Sequence, residues 1–202
     1  MANIDAKTVM ALRQRTGAPM MDCKKALQEA DGNSDKAVEI LRKKGLQTAD
    51  NKASREAEEG RIFSYVHHNM KLGVMVEMSC ETDFVAKNED FVAFGNGLCL
   101  HITAMNPKFL RPEEIDEATI AKEKAFLIEQ AKEQMAGRPD EVIEKAVEGR
   151  LKKYLAEQCL VEQPFVKAED GKTTVEETRK ALVGKIGENI QIRRFVRLEL
   201  GS

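Results

Sequence analysis

Histidine and cysteine are scarce in this chain of 202 residues, at three and four, and their spacing forms no metal or disulfide motif. No Cys-x-x-Cys pair occurs, and Cys23, Cys80, Cys99 and Cys159 do not form the pattern of a disulfide-stapled fold, so they read as reduced thiols. A zinc site built from Cys80, Cys99 and His101 has poor spacing. Both cysteines fall on apolar faces, which makes burial as small hydrophobes the better expectation. His67 and His68 stand together in a predicted strand and His101 on a predicted helix, positions that suit surfaces and edges better than a catalytic base. There is no Gly-x-Ser-x-Gly elbow and no His-Glu-x-x-His run, which makes covalent catalysis the weaker class. Gly184-Lys185 is followed by Ile186 and lacks the upstream glycine of a phosphate-binding loop, so the chain is not expected to hold nucleotide itself. No metal or cofactor is called for.

An excess of either charge is missing too. Charged residues make up 33% of the chain, yet 32 basic side chains nearly cancel 34 acidic ones, for a net charge of −2. That balance creates no general field for nucleic acid, and direct nucleic-acid binding is not expected. Arg42-Lys43-Lys44 and Arg193-Arg194 read as a solvated helix end and a strand edge. No segment approaches a membrane span, and Met1-Ala2-Asn3-Ile4-Asp5 leads straight into an amphipathic pattern without a leader. The expectation is a soluble, cytoplasmic protein that makes no membrane contact.

What is present divides into two unequal parts. The first 45 residues read as three short helices. Val9 and Leu12 line the first, which Thr16-Gly17 stops. Pro19 opens the second, where Met20, Cys23, Leu27 and Ala30 recur at helical spacing. Asp31-Gly32-Asn33-Ser34 punctuates, and Ala37, Val38 and Leu41 form a third stripe ending at Gly45. Residues 1–46 therefore form a three-helix domain, similar in size and pattern to ubiquitin-associated domains. Residues 47–60 carry almost no large apolar side chain and read as a charged, solvated helical linker that lets the first domain move.

Residues 61–202 read as an α+β core, a three-stranded antiparallel sheet packed with helices and a long antiparallel helix pair. Leu72, Val74, Val76, Met78 and Cys80 alternate with period two and pair back on Arg61–His68 through a turn near Asn69-Met70. Ile190, Ile192, Val196, Leu198 and Leu200 share one parity, broken only by Arg194, and predict a third strand with those side chains on one face. Asn88 caps a helix bearing Phe91, Phe94, Leu98, Ile102 and Met105, with Gly95 and Gly97 reserved for close packing. Two long patterns, Ile120–Ala136 and Asp140–Gln158, are split by Gly137-Arg138-Pro139. Thr174 and Glu177 offer a capping box for a last helix reaching about Gly187.

The most informative run is Glu81-Thr82-Asp83-Phe84-Val85-Ala86-Lys87, where the strand alternation stops. Taken alone, it favours Phe84 as core and Asp83 as a helix start. A second fingerprint, Leu12-Arg13-Gln14-Arg15-Thr16-Gly17-Ala18-Pro19-Met20-Met21-Asp22-Cys23-Lys24-Lys25-Ala26-Leu27, reverses that. Together with Glu77–Lys87 it closely resembles the translation elongation factor Ts family. Further matches lie in Ile143–Leu151, Glu162–Val166 and Ile186–Arg194. Pro19 stands where the family usually has Gly or Ser, and Ser79 where it often has Asn. The resemblance implies a guanine nucleotide exchange factor for elongation factor Tu, binding both its GDP-bound and nucleotide-free forms. In the family, the segment matching Thr82, Asp83, Phe84 and Val85 intrudes near the partner's magnesium and phosphate site, and positions matching Arg13, Met20 and Met21 touch its nucleotide domain. The single hairpin-plus-helix unit matches a short form of the family, which implies a homodimer and a 2:2 complex. Two rival readings remain: a nucleic-acid adaptor presenting Arg13, Arg15, Lys24 and Lys25, and a ubiquitin-associated scaffold without exchange activity.

Overall fold

The computed structural model describes residues 4–135 and 138–201; Ala136 and Gly137, at the predicted stop between the two long helices, lie outside them, as do Met1, Ala2 and Asn3. The architecture is mixed α+β. Helices α1 (Ala6–Thr16), α2 (Met20–Glu29) and α3 (Ser34–Lys52) come first, followed by β1 (Glu59–Val66), β2 (Leu72–Cys80), the short α4 (Asp83–Ala86) and α5 (Glu89–Met105). After them come α6 (Glu117–Gln134), α7 (Asp140–Gln158), α8 (Val175–Ile186) and β3 (Ile190–Glu199). The helix ends obey local chemistry. Asp5, Asn33, Asn88 and Asp116 accept backbone N–H groups at N-caps, Thr174 and Glu177 complete the predicted capping box, and Gly187 closes α8 in the left-handed region.

The first three helices bury their own cluster, centred on Leu12, Cys23, Leu27 and Ala37. In place of the predicted solvated linker, helix α3 runs on through Gly45 to Lys52, and Ala49 is buried in the main core of the larger unit. The reason is a close helix crossing: a Cβ added at Gly184 of α8 would lie 2.8 Å from the Gly45 Cα. Gly45, expected as a stop, is the point where two backbones approach. Ala57 is buried as well.

The sheet is antiparallel in the order β1-β2-β3. Val74, Val76, Met78 and Cys80 of β2 are all buried, as their period required. On β3 the single-parity reading fails. Glu77 pairs with Arg194 and Met78 with Ile192, so Arg193 is an extra residue that bulges the strand and exchanges its two faces. Ile190 and Ile192 point into the core, whereas Val196, Leu198 and Leu200 are exposed. Helix α5 covers the inner face with Phe91, Phe94, Leu98 and Ile102, while Met105 is left exposed. Its glycines have separate partners: a Cβ at Gly95 would strike the Phe63 ring, and one at Gly97 would lie 2.8 Å from Phe165, which comes after α7 rather than belonging to a strand. No helix among the described residues is long and apolar enough to cross a membrane.

Candidate functional site

The chain leaves β2 at Cys80 and makes a single helical turn. Thr82, in extended backbone at φ −131°, caps that turn by accepting the Val85 N–H, and the Cys80 thiol donates to the Thr82 carbonyl at 3.1 Å. Within α4 the side chains part company. Val85 and Ala86 are buried and anchor the turn to the core, whereas Phe84 is 80% exposed. Leaving a phenylalanine in water forgoes about 1.5–3 kcal/mol of burial. Asp83 is also exposed, and Lys87 donates to it at 2.7 Å; that bond holds the Asp83 carboxyl below the usual carboxylate range. Of the four predicted residues, Asp83 and Phe84 face solvent, Thr82 is half-buried and Val85 serves as the root.

A second set of contacts holds this stub from outside. The Thr82 N–H donates to Glu188 Oε2 at 3.0 Å and its hydroxyl to Glu188 Oε1 at 2.8 Å. In return the Asn189 N–H donates to Glu81 Oε1 at 2.6 Å, and Arg55 reaches the other oxygen of Glu81 at 3.4 Å. Sequence reading did not find Glu188 in this role. A half-buried carboxylate in a turn has no periodicity, and its partner lies 106 residues away.

The other predicted contact residues lie on the three-helix unit. Arg13, in the last turn of α1, is exposed. Met20 and Met21 open α2 at 38% and 62% exposure; Cys23, Leu27 and Ala30 keep the buried stripe to which Met20 was assigned.

The histidines divide differently from expectation. His67 and His68 lie just past β1, in the turn. His101 is fully buried rather than superficial. Its Nδ1 accepts the Val166 N–H at 3.1 Å, which leaves the proton on Nε2, facing Gln163 Oε1 at 2.8 Å. Burial lowers its pKa, partly offset by the Gln163 bond. Cys80, Cys99 and Cys159 are buried, with thiols pushed up to about 11 chiefly by desolvation. No cluster of metal-ligating side chains occurs among the described residues.

The site is thus a protrusion, a large apolar ring on a braced stub. The chain belongs to the elongation factor Ts family, and so to the elongation factors of protein synthesis: the family model for elongation factor TS matches residues 48–173. The chain is 51% identical to elongation factor Ts of Fervidobacterium nodosum over 98% of its own length and 99% of that protein. It is 51% identical to elongation factor Ts of Solidesulfovibrio magneticus over 100% of this chain and 99% of that one. For elongation factor Ts of Desulforamulus reducens the identity is 50%, over 100% of this chain and 91% of that protein.

Proposed function

We propose that this chain is a guanine nucleotide exchange factor for elongation factor Tu, acting in the cytoplasm by binding alone, with Asp83-Phe84 inserted near the partner's magnesium and phosphate site. The observation that carries the reading is the Phe84 ring, held in solvent by a turn whose neighbouring side chains are buried. An exchange factor binds the nucleotide-free partner more tightly than the loaded one, and that difference is reciprocal with nucleotide affinity. Moving such an equilibrium fully takes about four orders of magnitude, roughly 5.5 kcal/mol. One buried Phe supplies only about 1.5–3 kcal/mol. A second contact region is therefore required, and Arg13, Met20 and Met21 on the 1–46 unit fill that role. Methionines suit it because they adapt to an opposing surface. A ring that displaces the elements holding the metal removes one of the largest local charges in the site, and phosphate affinity falls with it. Thr82 and Val85 set the projection of the two inserted side chains.

The 61–202 core also supplies a dimer surface. Ile62, Val66, Met75, Val196 and Leu198 are exposed, and the strand register aligns Ser64, Met75 and Val196 across the sheet. An exposed sheet face rich in apolar side chains, here with Ser64 and the Glu77–Arg194 ion pair among them, is the kind of surface that pairs with another. A second copy packed on it gives a homodimer and a 2:2 complex with elongation factor Tu.

The deciding experiment mixes the chain with elongation factor Tu carrying fluorescent GDP in a stopped-flow instrument. Wild-type chain accelerates release; Phe84→Ala slows that acceleration by tenfold or more, equivalent to roughly 1.4 kcal/mol of lost differential binding, while its melting temperature stays near wild type. A wild-type release rate for Phe84→Ala would falsify the wedge.

A further inference from the structure

We propose that Glu188 is a positioning residue for Phe84, a role that rests on the exchange reading above. Helix α4 is four residues long, too short to hold its own shape, since helix nucleation is unfavourable and short segments depend on outside contacts. The outside contact here is specific. Glu188 presents two carboxylate oxygens, and Thr82 presents two donors to them, its N–H at 3.0 Å and its hydroxyl at 2.8 Å. Both bonds are charge-assisted and fix Thr82 in two directions. Thr82 is the residue immediately before the Asp83-Phe84 pair, so its orientation sets the direction in which the ring leaves the protein.

The base of this clasp is itself braced. Lys52 donates to the Gly187 carbonyl, and the Asn189 side chain donates to the Arg55 carbonyl at 2.7 Å. The Asn189 N–H closes the loop onto Glu81. The turn after α8 is therefore tied both to the end of α3 and to the segment that bears Phe84. Replacing Glu188 by Ala removes both acceptors at once. Gln keeps an acceptor oxygen for the Thr82 N–H, and its amide N–H donates to the Thr82 hydroxyl, so both contacts persist without the charge that strengthens them. Losing the clasp frees the ring from its direction without removing any surface that docks the partner, because Arg13, Met20 and Met21 lie on the other unit.

The test is a double-mutant cycle on nucleotide release from elongation factor Tu, measured against rising concentrations of the full chain. Glu188→Ala lowers the limiting rate severalfold, by no more than the factor Phe84→Ala costs because it acts through that ring, and leaves the half-saturating concentration little changed. Glu188→Gln falls between Ala and wild type. In the Phe84→Ala background the Glu188→Ala change adds no further slowing, because it acts only through that ring. Equal slowing in both backgrounds, or a change confined to half-saturation, overturns the proposal. Amide deuterium uptake over residues 81–88 of the free chain supplies an independent reading: it rises in Glu188→Ala, and unchanged uptake overturns the clasp whatever the kinetics. Should Phe84→Ala itself retain the wild-type rate, the wedge reading fails, and the uptake result alone decides whether Glu188 holds the segment.

Discussion

Protonating His101 sets a donor against a donor, because its Nδ1 already receives the Val166 N–H. The folded chain resists that proton, and burial lowers the pKa accordingly. The unfolded chain does not, and takes it as pH falls through about 6.5. Below that point the unfolded state binds more protons, so the stability held by neutral His101 is intact above it and is lost as pH falls toward the folded value. A thermal-melting series between pH 7.5 and 5 is expected to show a Tm that holds down to about pH 6.5 and falls below it; His101→Gln starts lower but declines less steeply, and a parallel decline would place the acid sensitivity elsewhere. Phe84 is the opposite residue, large and apolar yet outside. Its size and aromatic character alone favoured the core, since nothing in a local pattern distinguishes an anchored aromatic from a presented one. The matching family motif supplied that distinction.

Among the elements, α3 departs most from its pattern. Gly45 and a polar stretch after it suggest an end and a linker, yet the helix continues because α8 offers Gly184 opposite Gly45. The match between two glycines 139 positions apart, counting from Gly45 to Gly184, has no local signature. Gly184→Ala pushes a methyl group against the Gly45 backbone and is expected to cost about 1–3 kcal/mol as overpacking. Gly149, exposed within α7, has open space around a new Cβ; Gly149→Ala is expected to raise stability by roughly 0.5–1 kcal/mol through helix propensity. Urea denaturation of the two variants reads both signs, and equal effects would show that the α3–α8 crossing tolerates separation.

For the whole molecule, the bulge at Arg193 matters most. By exchanging the faces of β3 it moves Val196 and Leu198 out of the core, opposite Met75 and Gly73 of β2. The proposed homodimer depends on that surface. Light scattering on the wild-type chain at micromolar concentration is expected to give the mass of two chains. Val196→Glu, which places a charge on the exposed face next to Met75 without touching the core, is expected to give the mass of one. An unchanged mass for the variant would move the dimer contact to another surface.

The amino-acid sequence by itself determined the elements whose causes are local: the caps at Asn88 and Thr174, the β2 alternation, the turn at Asn69-Met70, and the family to which the chain belongs. Each structural element depends on residues within a few positions of one another, and the family on short motifs read in order along the chain. Only the tertiary structure decided how Thr82 is held beneath Phe84, that His101 is sealed inside, that α3 joins the two units, and which face of β3 meets water. Those outcomes turn on partners far apart in the chain, Thr82 with Glu188 and Gly45 with Gly184, and on one inserted residue that reverses the strand's parity. Packing sets them, and packing has no period for a sequence to display.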